Sequence, residues 1–253
     1  MAGHSHWSSI KHKKGIADAK KGKMFTALAR MITVAARKGG GDPGMNPRLQ
    51  LAISKARAAN MPKDNIERAI QKGTGDGDGD ADVVECLYEG YGPHGVALMV
   101  EVLTDNKNRT APEIRKIFDR CNGNMGESGC VSWMFEKKGL IIVNDTNISE
   151  DALMMLVLEA GAEDLEKTGD VFQVICAQSD LDVIKTAIER ENILIESAEV
   201  TWIPKSTVDL DDEACRKVLR LMEILDEHDD VHNVYSNVTI PSSLFTEIQD
   251  QGQ

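Results

Sequence analysis

Aromatic residues are scarce in this chain of 253 residues, at 4% of the total, so its cores must be built from aliphatic side chains. No apolar run approaches the roughly 20 residues that a membrane-spanning helix needs. Cys-x-x-Cys is absent: the five cysteines (Cys86, Cys121, Cys130, Cys176, Cys215) are odd in number and widely spaced. That pattern argues against a disulfide framework and for thiols in a reducing compartment. The opening MAGHSHWSSIKHKKG lacks the apolar h-region of a secretory signal, and it is too short and lysine-rich for a clear transit peptide. Ala2 fails the myristoylation pattern. The expectation is a cytoplasmic protein without membrane attachment.

Catalytic and metal chemistry is also thin. His94, His228 and His232 stand apart, and no nucleophile and base assemble around them; no enzyme is expected. His4, His6 and His12 have no neighbouring Cys or carboxylate and no rigid frame, so a metal site is not expected there. GYGPHG at 90–95 spells G-x-G-x-x-G, but a strand-like VALMVEVLT follows it where a dinucleotide site needs a helix N-terminus. A tight hairpin turn is the better reading. In GTGDGDGDADVVE, Thr74, Asp76, Asp78, Asp80 and Glu85 mimic the spacing of a calcium loop, with Gly79 sixth. The first ligand is Thr and no second helix follows, so the segment reads as a linker. No cofactor and no small-molecule substrate are expected.

What the chain does have is charge, unevenly spread. Its formal net charge is -12. Residues 1–75 nevertheless carry 15 Lys and Arg against 4 Asp and Glu, a net of +11, and the remainder carries 14 against 37, a net of -23. A basic module joined to an acidic one implies a polyanionic partner.

The basic module reads as three helices. Over about 17–38, Met24, Phe25, Leu28, Met31, Ile32 and Ala35 recur on one arc. Lys20, Lys23, Arg30, Arg37 and Lys38 gather on a neighbouring arc roughly 100° wide, with Lys21 breaking the pattern. Asn46-Pro47 has the look of an N-cap and first helical position, opening a helix to about Ala59 that carries Arg48, Lys55 and Arg57. A third helix runs from about Pro62 to Gly73, with Ile66, Ala69 and Ile70 inward. Lysine and arginine in such a stripe neutralise phosphates and release counterions. The candidate nucleic-acid contacts are therefore Lys11, Lys13, Lys14, Lys20, Lys23, Arg30, Arg37, Lys38, Arg48, Lys55 and Arg57, with Trp7 stacking on a base or anchoring the arm. No helix with evident base-reading side chains stands out.

From Val83 the pattern turns α+β. LYEGYGPHGVALMVEVLTD reads as two strands. A helix follows over about 111–121, with Thr110 and Glu113 at capping-box spacing. SWMFEKKGLIIV predicts a hairpin turning at Lys137-Lys138-Gly139. Helix (150–160), strand (171–177), helix (180–190), strand (194–203), strand (206–209), helix (211–226) and the strand VYSNVTI complete the order. Lys107 and Arg109 sit just ahead of the first of these helices. Cap-and-turn chemistry accounts for them, and a secondary phosphate contact is the functional alternative. The last helix and strand are expected to complete the sheet begun at 83, with the middle segment inserted.

AGHSHWSSIKHKKGIADAKKGKMF, GGGDPGMNPRLQLAISKARAANMPKDNIERAI, GYGPHGVALMVEVLTDNKNRTAPEIRKIF and GNMGESGCVSWMFEKKG together strongly resemble the YebC/PmpR family, and the resemblance spans essentially the whole chain. It implies an α+β multidomain fold: an N-terminal three-helix domain followed by two ferredoxin-like α/β domains, one inserted in the other. The expected boundaries are 1–75 for the basic helical domain with its leading arm, 76–82 for the Gly/Asp linker, 83–131 plus 205–240 for one α/β domain and 132–204 for the inserted one. The resemblance implies a cytoplasmic transcriptional regulator that binds DNA. The alternative is a ribosome- or rRNA-associated translation factor, as for mitochondrial relatives that resemble translational activators of cytochrome oxidase. The acidic α/β domains are expected to meet a protein partner. The resemblance supplies no catalytic residues.

Overall fold

The structure, a computed structural model, describes residues 18–75, 83–144, 148–168, 171–241 and 244. The 76–82 linker lies outside the described residues, as do His4, His6 and His12. The described residues group into two compact units, 18–130 with 216–234 and 131–215 with 235–241.

The first unit opens with three helices: α1 (Asp18–Gly39), α2 (Pro47–Ala58) and α3 (Lys63–Thr74). Leu28, Ile32, Ala35, Leu49, Ile53, Ala56, Ile66 and Ala69 form their shared core. Small side chains let the helices approach closely. A Cβ on Gly73 of α3 would lie 2.5 Å from the Thr33 carbonyl and 2.7 Å from Ala36 Cβ of α1, so this contact requires glycine. Asn46 caps α2 as its sequence position implies, accepting from the Leu49 N–H at 3.1 Å. Its amide also donates to the Ala35 and Gly40 carbonyls, each at 2.9 Å, closing the turn left by α1.

The same unit continues with β1 (Val84–Tyr91), a one-turn 3₁₀ segment at Pro93–Gly95, β2 (Ala97–Thr104), α4 (Lys107–Arg120) and β3 (Asn124–Met125). The hairpin at 90–95 is as expected, with Tyr91 opposite Ala97. The sheet runs β3-β1-β2 and ends on the returning strand Val231–Ser236. Val34 of α1 packs with Val83 and Leu103, with Met31 alongside, so α1 has a second buried face, turned onto the sheet.

The second unit contains β4 (Phe135–Asn144), α5 (Glu150–Glu159), β5 (Asp164–Thr168), β6 (Val171–Cys176), α6 (Leu181–Arg190) and β7 (Ile195–Pro204). Its antiparallel sheet is ordered β5-β6-β4-β7, the split βαβ arrangement of ferredoxin-like folds. Leu153 and Val157 of α5 and Ile184 and Ile188 of α6 pack on Ile141, Val143, Phe172 and Val174. The chain closes with β8 (Val208–Asp209), α7 (Asp212–Asp226), β9 (Val231–Ser236) and β10 (Val238–Thr239), where β8 and β10 pair in parallel. The fold is an N-terminal helical domain followed by α/β domains with antiparallel four-stranded sheets.

Three readings of the sequence give way. Lys137-Lys138-Gly139 is no turn: β4 runs through it, with Lys137, Lys138 and Gly139 opposite Trp202, Thr201 and Val200. A Cβ at Gly139 would sit 2.6 Å from Cys176 Sγ, so the glycine serves close strand packing. The helix expected at 111 begins at Lys107, capped by Asn106, whose side chain accepts from the Arg109 N–H at 3.1 Å. Thr110 is therefore buried inside the helix rather than capping it. Strands β3 and β5 were not anticipated; Asp164–Thr168 carries too much charge to read as strand.

Candidate nucleic-acid interface

Trp7, Lys11, Lys13 and Lys14 lie outside the described residues, as do the side chains of Lys20 and Lys23 on α1. The remaining candidates belong to the first unit, and most of them are engaged within it.

Arg30 projects from α1 onto Asp230, which follows α7. Its Nη1 donates to Asp230 Oδ1 at 2.8 Å and to the Asp229 carbonyl at 2.9 Å. Arg109 of α4 reaches the other oxygen, Oδ2, at 2.6 Å. The Thr110 hydroxyl donates to the same atom at 2.6 Å, and Thr104 Oγ1 lies 3.1 Å from it. The Asp230 side chain is 2% exposed, against 20% for Arg30 and 44% for Arg109. Burial pushes its carboxyl upward, but the hydrogen bonds from Thr110 and Arg109 and the charges of both arginines outweigh this and hold it below the ordinary aspartate value. The Asp230 hydrogen bond in turn raises the Arg109 guanidinium. His228 accepts the Asp230 N–H at Nδ1, 3.2 Å, which leaves Nε2 to donate to Glu113 at 3.0 Å.

A second carboxylate gathers Lys38 and Arg48. Glu85 of β1 accepts from Lys38 Nζ at 2.7 Å and from Arg48 Nη2. Partial burial raises this carboxyl, and the bonds from Lys38 and Arg48 more than reverse the effect, leaving it lowered. Arg37 donates to the Val83 carbonyl at 3.2 Å. The Arg30, Arg37 and Lys38 portion of the arc on α1 thus lies along the helix's contact with the sheet and borders its apolar strip.

On α2, Lys55 is half-buried, and Arg57 is exposed with no ion pair among the described residues. Leu49, Ala52, Ile53 and Ala56 face inward. A flank of the helix shows Gln50, Ser54 and Arg57, all exposed, within about 60° of arc, with the exposed Leu51 on the side opposite the core. Gln50 and Ser54 are polar residues of a kind that contacts base edges, and the sequence reading missed them. Their signal was available in the i, i+4, i+7 spacing with Arg57. Lys107 stands exposed at the first position of α4, and Arg109, two residues on, is tied to Asp230.

Among the described residues no group of three or more His, Cys, Asp or Glu side chains is placed to hold a metal ion. No helix among them is long and apolar enough to cross a membrane.

Comparison with known proteins gives a consistent picture. Residues 5–76 match the family model described as the TACO1/YebC protein N-terminal domain, and residues 83–238 match the TACO1/YebC second and third domain. A relative from Desulfatibacillum aliphaticivorans named "Probable transcriptional regulatory protein" is 55% identical over 247 residues, 98% of this chain and 100% of its own. Another of that name from Halothermothrix orenii is 50% identical over 254 residues, 99% of this chain and 100% of its own. The crystal structure of a conserved hypothetical protein from Aquifex aeolicus superposes with a TM-score of 0.80 at 46% identity, covering 89% of this chain and 93% of that one. Matched along nearly its whole length in sequence and fold, the chain belongs to the TACO1/YebC family.

Proposed function

We propose that the chain is a non-enzymatic nucleic-acid-binding regulator that acts on DNA in the cytoplasm through its basic helical domain. The observation that carries this reading is the net of +11 over residues 1–75 of a chain that is -12 as a whole, a concentration beyond what solubility asks. The name shared by its relatives supports a regulatory role. Phosphates are met by the arm (Lys11, Lys13, Lys14, with Trp7 stacking), by Lys20 and Lys23, and by Lys55 and Arg57 on α2. Gln50 and Ser54 stand beside Arg57 to face the bases. Arg30, Arg37, Lys38 and Arg48 hold α1 and α2 against the sheet, and add field at the interface rather than direct grip. This division of labour follows the proposed domains: 1–75, the 76–82 linker, 83–131 plus 205–240, and the inserted 132–204, whose acidic surface repels the polyanion and meets a protein partner.

Crosslinking in growing cells, followed by sequencing of the attached nucleic acid, tests the reading. Enrichment of promoter DNA is expected. Enrichment of ribosomal RNA instead would refute it and move the protein to translation, the alternative implied by its mitochondrial relatives; basic side chains meet the same phosphate charge on either polymer.

A further inference from the structure

Helix α4 is a basic element in an acidic stretch of chain. It carries Lys107, Arg109, Arg115, Lys116 and Arg120 against Glu113 and Asp119. Its buried side chains are Thr110, Ile114 and Phe118. At 100° per residue, Arg109, Lys116 and Arg120 fall within about 40° of one another on the far side. They form a line with spacings of about 10 Å and 6 Å along the axis.

That line is one wall of a cleft of about 650 Å³, whose other wall comes from Glu227, His228, Asp229 and Asp230, with Arg30 of α1 at the junction. The cleft is open to solvent rather than enclosed, which suits an extended ligand lying across it. Inside the cleft Asp230 is neutralised by Arg30 and Arg109, and Glu113 is held by His228. Lys116 and Arg120 remain exposed and without an ion pair among the described residues. Glu227 and Asp229 stand exposed on the wall opposite.

We infer that this cleft is a second nucleic-acid subsite, in which Lys116 and Arg120 take successive backbone phosphates beside Arg109. The inference rests on the nucleic-acid reading above and adds to it a contact surface on the α/β part of the chain. A polynucleotide strand fits this pairing of walls: its phosphates meet Lys116 and Arg120 while its base amino groups donate to Glu227 and Asp229, whereas an acidic protein surface offers those two acceptors no side-chain donor. Arg30, bound to Asp230, brings the positive field of the basic helical domain to the edge of the cleft.

The test uses the full chain and the double variant Lys116→Gln/Arg120→Gln, titrated across a range of salt with a short DNA duplex and, separately, a single-stranded RNA. The variant should bind about tenfold more weakly at low salt. Its log K against log[salt] slope should be shallower by about 1.5, the release expected from two lost phosphate contacts. Its melting temperature should be unchanged, because neither side chain has an ion-pair partner among the described residues. Unchanged affinity and slope would overturn the subsite while leaving the nucleic-acid reading in place. Failure of the unmodified chain to bind either polymer would overturn both. Titration with 5′-AMP separates the remaining source of phosphate: if the variant loses AMP binding yet keeps its polymer affinity, the cleft serves a free nucleotide and the proposal falls.

Discussion

Asp230 is the residue whose removal the structure predicts most sharply. It sits 2% exposed between Arg30 and Arg109, with the hydroxyls of Thr104 and Thr110 at Oδ2. Asp230→Asn keeps the volume and one acceptor, but it turns an NH₂ group toward existing donors. Breaking a buried ion pair by losing one partner costs about 3–5 kcal/mol. Here water can still reach both guanidinium groups, so the expected loss is about 2–3 kcal/mol, near a hundredfold in the folded ratio. Amide hydrogen exchange over α1 and β2 reads this unit by itself, which a global melt of a multidomain chain does not. The effect must also depend on pH. Because the folded state lowers the Asp230 carboxyl, its contribution is complete above the unfolded value of about 3.9 and is lost as pH falls through the folded value. The gap between wild type and Asp230→Asn should stay constant above about pH 5 and shrink below about pH 4. A gap under about 0.5 kcal/mol at neutral pH, or one that widens on acidification, would refute the account of Asp230 as the tie between α1, α4 and the segment after α7.

Gly73→Ala sets two effects in opposition: helix propensity favours alanine by about 1 kcal/mol, while the Thr33 carbonyl at 2.5 Å makes overpacking cost about 1–3 kcal/mol. Net destabilisation of the helical domain is expected in urea titration, and a gain would show that α1 and α3 can separate cheaply. Asn46→Asp retains the cap acceptor for Leu49 but loses both donors to Ala35 and Gly40. It should cost about 1–3 kcal/mol in the same assay, although the two residues rank as equals at exposed caps. Cys176, pushed up to about 11 by burial and then by Asp180 and Glu163, should react with iodoacetamide at pH 8 about a hundredfold more slowly than an ordinary exposed thiol; peptide mass spectrometry measures it, and rapid labelling would contradict its burial.

Local order was legible where a single residue decides it. Asn46-Pro47 opens α2, and Gly-Pro chemistry at 90–95 turns the hairpin, since each relies on backbone preferences that act without tertiary help. Lys137-Lys138-Gly139 misled for the opposite reason. Its composition is that of a turn, and only the pairing to Val200–Trp202 and the approach of Cys176 make it strand. Thr110 misled in the same way, because its capping-box spacing is genuine while the acceptor that claims its hydroxyl is Asp230, 120 positions along the chain.

The cationic arc of α1 carries the larger lesson, and the sequence held a clue to it. On the helical wheel Val34 falls between Arg30 and Lys38, near the middle of the arc, and Ala27 and Met31 fall at its edge. A solvated phosphate-binding stripe has no need of a β-branched apolar residue at its centre. Val34 is 3% exposed, packed with Val83 and Leu103. The arginines and lysine around it lay their stems along that contact and carry their charges to its rim, where Asp230, Glu85 and the Val83 carbonyl receive them. Charge density alone therefore marks a basic stretch of chain but could not separate cations that face solvent from cations that border an interface. That distinction depends on what sits between them. By the same criterion the outward strip of α2 and the line on α4 differ from α1: Gln50 and Ser54 lie beside Arg57, and Glu113 lies beside Arg109 and Arg120, all of them polar and exposed to water. Among the described residues, Arg57 on α2 and Lys116 and Arg120 on α4 are exposed cations that an anion can meet without displacing an ion pair.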